Sequence, residues 1–212
     1  GRALGLAEGA ALGEALGEAM RHRGFLLLTA GYFVCGFQVL FLGTHLPKYL
    51  TEAGLSPWVG ATALSLIGLF NIIGTMVWAA LGGRLRMKHL LSSIYLLRSA
   101  VLIVFVLVPI TPLSTYIFSG AIGLLWLATV PLTSGLVAQI FGLRYMATLT
   151  GIVFFSHQLG SFFGVWLGGK LFVDTGSYDS VWWLAVALGL VAALLHYPID
   201  DKPVARAQAE GA

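Results

Sequence analysis

A chain of 212 residues would suit one soluble domain, but 58% of these residues are apolar and only 10% charged, against roughly 25% charged in soluble globular proteins. So little polar surface excludes a water-facing globular fold. The net charge of +3 does not indicate nucleic acid, because the basic residues sit in short turns between apolar runs and not on one polar face. The first segment, residues 1–23, starts without Met and carries Glu8, Glu14 and Glu18 with no apolar stretch of signal-peptide length, so it is not a secretory signal. Leu12, Leu16 and Met20 recur every fourth residue opposite Glu14, Glu18 and Arg21, which predicts a short amphipathic helix, either on the membrane surface or in a solvated linker. Opening at Gly1-Arg2 inside an Ala/Gly/Leu/Glu stretch, the chain reads as a piece of a longer one.

Six apolar runs follow, each about the 20 residues that an α-helix needs to cross a bilayer: residues 24–50, 58–81, 90–108, 113–141, 148–172 and 181–197. Unpaired backbone groups are not tolerated in lipid, so helices are expected throughout. The first run holds Cys35, the single cysteine, expected as a small packing residue, and places Gln38 and His45 two turns apart on one face, with His45 near the outer end and hydrated. The second holds Asn71, and the third holds Arg98 near its middle with no Asp or Glu in any run to pair it. That charge must meet backbone carbonyls, water, an anionic substrate or a carboxylate from elsewhere. In the fourth run Thr129, Pro131, Thr133, Ser134 and Gln139 interrupt the apolar pattern. Pro131 removes a helix hydrogen bond, which the neighbouring hydroxyls are expected to help replace. The fifth places His157 beside Gln158, where a histidine can bind a carboxylate, exchange a proton near neutral pH or simply bond a neighbouring helix. Its Gly160, Gly164 and Gly168, four apart, form a small-residue stripe suited to close helix packing.

Lys and Arg set orientation. Arg2, Arg21, Arg23, Arg84, Arg86, Lys88, Arg144, Lys202 and Arg206 fall on one side, and only Lys48 and Lys170 on the other, which predicts that both ends are cytoplasmic. Residues 199–212 then form a cytoplasmic tail. The second run ends Gly74 then Leu81-Gly82-Gly83-Arg84-Leu85, and the fifth ends Gly160 then Leu167-Gly168-Gly169-Lys170-Leu171, at identical spacing. Two such copies running in opposite directions, each in the middle of a triplet, predict a three-plus-three inverted repeat, with Asn71 equivalent to His157.

The chain resembles the major facilitator superfamily, specifically the C-terminal half of members related to monocarboxylate and oxalate-formate transporters. The resemblance rests on Gly43-Thr-His-Leu-Pro-Lys-Tyr-Leu50, Asn71-Ile-Ile-Gly74 leading to Gly83-Arg84, Tyr95-Leu-Leu-Arg98, and Phe141-Gly-Leu-Arg-Tyr-Met146 leading to Gly151, and covers about residues 8–200. It implies that spans one and four line a central cavity, that two and five face a missing N-terminal six-helix half, and that three and six lie outside, which favours a structural role for Arg98. Residues 1–23 become the cytoplasmic connection between halves. The loop of residues 82–88 lacks the acidic residue the family often places before its basic run of Arg84, Arg86 and Lys88. Anion-moving members tend to carry a base where Asn71 and His157 stand.

The function expected is secondary transport of a small organic anion by alternating access, with a co-transported proton on His157. Substrate contacts are expected from His157, Gln158, Asn71, Gln38, His45, Thr133 and Arg98, and cytoplasmic gating from Arg84, Arg86, Lys88 and Arg144. The setting is a bacterial cytoplasmic membrane. No nucleotide-binding loop is present, so a gradient supplies the energy, and neither cofactor nor metal is expected. A rhomboid-type intramembrane protease is the enzymatic alternative, but Leu132-Thr133-Ser134-Gly135 lacks the first glycine of that motif. A non-transporting six-helix scaffold is the other.

Overall fold

The computed structural model describes residues 2–210, with side chains from residue 11 to residue 208, so Arg2 and the extreme ends of the expected linker and tail lie outside the described side chains. The described residues are helical with short connections: α1 (Arg2–Arg21), α2 (Arg23–Glu52), α3 (Pro57–Gly82), α4 (Met87–Leu107), α5 (Pro112–Leu125), α6 (Thr129–Phe141), α7 (Met146–Thr175), α8 (Asp179–His196) and α9 (Ala205–Glu210). Local chemistry sets several ends. Ser56 caps α3 by accepting from the Trp58 amide at 3.3 Å, with Pro57 at the first helical position. Thr111 and Ser114 cap α5 reciprocally, at 3.1 and 2.9 Å.

Five segments are long and apolar enough to cross a membrane: α2, α3, α4, α5 with α6, and α8. The 30-residue α7 is long enough but less apolar, since Ser156, His157, Gln158 and Ser161 fall within two turns of its middle. The fourth apolar run is two helices, broken at residues 126–128. This corrects the expectation built on Pro131, which sits at the third position of α6, just past the break.

The helices pack mainly in three pairs, α2 along α7, α3 along α5 and α4 along α8. Exchanging α2, α3 and α4 for α5 with α6, α7 and α8 leaves these pairs unchanged. Glycine sets the closest approaches. A Cβ at Gly160 would strike the backbone of Phe33 on α2, and one at Gly74 the backbone of Leu124 on α5, while Gly164 and Gly168 meet Phe37 and the His45 ring. One buried cluster gathers Phe41, Phe105, Phe118 and Trp182 toward one end, and another gathers Phe25, Tyr95, Leu136 and Phe141 toward the end that carries the termini. Large apolar side chains stay exposed along α3 (Ile72, Met76) and α7 (Phe155, Phe162).

The helix α1 forms, but its buried face is not the expected one. Ala15 and Ala19 are fully buried and Leu12 and Leu16 partly, whereas Met20 is 52% exposed. The stripe therefore runs i, i+3, i+4, i+7, because α1 packs back on α2 and its Glu18 is held 3.1 Å from Arg206 beyond the last span.

Candidate functional site

The polar side chains of the bundle fall into three groups, the first two of which meet at Cys35, a neighbour of both Arg98 and His157. The first surrounds the break in the fourth span. Arg98, 1% exposed on α4, donates through Nε and one terminal nitrogen to the carbonyl of Leu125 at 3.0 and 2.6 Å, and to the carbonyl of Trp126. Its other terminal nitrogen lies 3.5 Å from both Gln38 Oε1 and Cys35 Sγ, and Tyr95 stacks its ring 5.4 Å away. An uncompensated Arg at a bilayer centre costs about 2.5–3.5 kcal/mol or more, and here the carbonyls at the end of α5 compensate it. Asn71 reaches the same break from α3, its Oδ1 accepting from the Leu127 amide at 3.0 Å and from Thr75 at 3.2 Å. The expected hydroxyls do not supply the missing bonds: Thr129 faces Cys35 at 3.2 Å, and the buried hydroxyl of Thr133 has no partner. Cys35 is thus both packed and hydrogen-bonded. Gln38 donates to the Ala185 carbonyl at 2.9 Å, tying α2 to α8.

The second group is on α7. His157 is 7% exposed, its Nδ1 3.2 Å from Gln158 Oε1 and 3.4 Å from Ser161 Oγ, with the Tyr32 ring 5.0 Å away. Gln158 is exposed. Although Asn71 and His157 occupy equivalent places in sequence, they do different things: one holds backbone, and the other sits in a small side-chain network. Ser161 was legible as the residue one turn after His157, whereas nothing in the sequence pointed to Tyr32. Outside both groups, His45 is bonded on both ring nitrogens, to Tyr178 Oη at 3.2 Å and the Val165 carbonyl at 2.9 Å, which corrects the expectation of a hydrated histidine.

The third group lies at the end of the bundle that carries both termini. Arg86 pairs with Asp201 through two nitrogens, Nε at 3.0 Å. Lys88 lies 3.8 Å from the same carboxylate and donates to the Ile199 carbonyl at 2.6 Å, and Gln139 donates to the Asp201 carbonyl at 2.8 Å. The hydrogen bond from Arg86 holds the Asp201 carboxyl below the usual carboxylate value, and the same bond holds the Arg86 guanidinium more firmly charged. The acidic residue absent from residues 82–88 is therefore supplied from beyond the last span. Arg84 is exposed, and Arg144 stacks on the Tyr145 ring at 5.2 Å, as Arg206 also does.

Two cavities, of 440 and 480 Å³, lie among α3, α4 and α5 and share Leu97, Val101 and Ala121. Their walls are apolar, and neither includes His157.

A family model for the Major Facilitator Superfamily matches residues 3–165. The chain belongs to this superfamily. Membership and the apolar helices together make it a multi-pass integral membrane protein. It is 28% identical over 186 residues to the uncharacterized MFS-type transporter YcxA of Bacillus subtilis (strain 168), which covers 85% of this chain and 45% of that protein. It is 25% identical over 186 residues to Monocarboxylate transporter 12-B of Danio rerio, covering 82% of this chain and 36% of that one. The chain spans less than half the length of either superfamily relative.

Proposed function

We propose that this chain is the C-terminal half of a secondary transporter that moves small organic anions by alternating access, with six spans in two inverted triplets and both termini cytoplasmic. The observation that carries the reading is the pairing of α2 with α7, α3 with α5 and α4 with α8, which maps onto itself when the triplets are exchanged. The backbone contacts of Gly74 and Gly160 support it, since each belongs to one copy of the sequence repeat and each closes a helix pair. On this reading α7 is the remaining span, less apolar because of Ser156, His157, Gln158 and Ser161, of which the exposed Gln158 faces the permeation pathway. The exposed apolar side chains of α3 and α7 meet the other half. The organic-anion class is carried over from the relative named a monocarboxylate transporter.

Among the candidate side chains, His157, Gln158 and the unpartnered hydroxyl of Thr133 are left for substrate. Arg98, Asn71, Gln38 and His45 are engaged in holding helices together. A histidine next to an exposed amide can bind a carboxylate as imidazolium and release it as imidazole, which couples binding to a proton. The test is uptake of radiolabelled monocarboxylates into proteoliposomes containing the full-length protein, wild type against His157→Ala. Saturable uptake that rises with an inward proton gradient in the wild type, and loses that dependence in the variant, is the expected result. Equal uptake and equal pH dependence in both would remove His157 from the mechanism.

A further inference from the structure

We infer that Arg98 and Asn71 form a two-sided clamp that keeps the fourth span broken at residues 126–128, making the break a hinge about which α6 swings. The clamp stands on geometry alone. Only its use as a gate rests on the transport reading.

The backbone accounting at the break is specific. In an unbroken helix the Leu127 amide would donate to Gly123, and the carbonyls of Leu125 and Trp126 would accept from residues 129 and 130. Here the Trp126 amide takes the Gly123 carbonyl at 3.0 Å, the Leu127 amide goes to Asn71 Oδ1 at 3.0 Å, and both carbonyls go to the Arg98 guanidinium. The Leu127 carbonyl would need an amide at position 131, where proline has none, and it accepts from Val130 at 3.0 Å instead. The partners that the Leu125 and Trp126 carbonyls and the Leu127 amide find outside the break are two side chains on two other helices. A planar fork that holds two carbonyls and an amide oxygen that holds an N–H are suited to this task and to no single residue between them. Non-helical backbone at membrane depth persists only where such partners exist. With these bonds committed to the backbone of the break, Arg98 and Asn71 act as positioning residues for α6.

The chain carries its own reporter. Cys35 is buried against Thr129, the first residue of α6, and Arg98, so loosening of the backbone at the break uncovers the thiol. The experiment follows N-ethylmaleimide labelling at the Cys35 peptide by mass spectrometry in the detergent-purified full-length protein. Asn71→Leu is the primary variant, because its hydrogen bonds go to Leu127 and Thr75 and not to Cys35. Labelling should accelerate about fivefold or more in Asn71→Leu, the ratio expected when one buried hydrogen bond worth about 1 kcal/mol is lost. It should stay within about twofold of wild type in Asn71→Asp, which keeps the acceptor oxygen. Phe105→Ala, which loosens the aromatic cluster at the other end of the bundle, controls for general destabilisation and should leave the rate near wild type. An unchanged rate in Asn71→Leu, or an equal rise in Phe105→Ala or Asn71→Asp, would each overturn the inference.

Discussion

Gly160→Ala tests the packing that defines the bundle. An added Cβ would fall on the carbonyl oxygen of Phe33, with the carbonyl carbon and the Phe37 amide close behind. These are backbone atoms of another helix and cannot swing aside, so α2 and α7 must separate along their shared length. Overpacking of this kind costs about 1–3 kcal/mol, and the absence of a flexible neighbour places Gly160 near the upper figure. At about 2–4 °C per kcal/mol for a chain of this size, the apparent Tm should fall by about 6–12 °C. Gly151 supplies the comparison, because it lies on the same helix with no atom within 4 Å of its added Cβ. Gly151→Ala should leave the Tm unchanged or raise it slightly, since alanine is favoured over glycine by about 0.8–1.0 kcal/mol in a helix interior. The assay is a thermal melt of the detergent-purified protein followed by tryptophan fluorescence. A loss under about 2 °C in Gly160→Ala, or equal losses in both variants, would refute the close-packed interface.

Three further outcomes follow from the polar groups. Asp201→Asn removes the carboxylate that gathers Arg86 and Lys88, and should speed cleavage by proteinase K within residues 199–204 in the folded protein, whereas unchanged cleavage would show that the ion pair does not hold the tail. Because Arg86 lowers the Asp201 carboxyl, that protection is present above the ordinary value of 3.8 and disappears only as pH falls through the lower folded value, so proteolysis by pepsin should reach residues 199–204 well below pH 4 and not near pH 5. His45→Phe keeps the ring but leaves the Tyr178 hydroxyl and Val165 carbonyl without that partner, and should cost about 1–3 kcal/mol in a melt, against little change for exposed Thr44→Val.

The apolar runs marked the helices to within a few residues: 24–50 against α2 at Arg23–Glu52, and 58–81 against α3 at Pro57–Gly82. Hydropathy reads these directly because a span is selected for its solvent. The break in the fourth span was not legible in place, because it depends on Asn71 and Arg98, which lie 56 and 27 residues away from the backbone groups they hold. Pro131 marks the neighbourhood of the break, and tertiary partners choose its position. The same holds for Arg98: its lack of a carboxylate in any span was visible, but the carbonyls that take its charge are exposed only by the break it stabilises. The face of α1 was misread by Met20 alone, since contacts with α2 and Arg206 favoured the smaller Ala15 and Ala19. Asp201 went unnoticed because an acid four residues past an apolar run looks like any solvated tail.

Alternating access is tested most directly by labelling one side chain from both faces of the membrane. In full-length protein carrying Cys35→Ser and Gln158→Cys, a membrane-impermeant maleimide should label residue 158 in right-side-out and in inverted vesicles, and a saturating monocarboxylate should change the ratio of the two rates. Labelling from one face only, with a ratio that substrate leaves unchanged, would contradict the account.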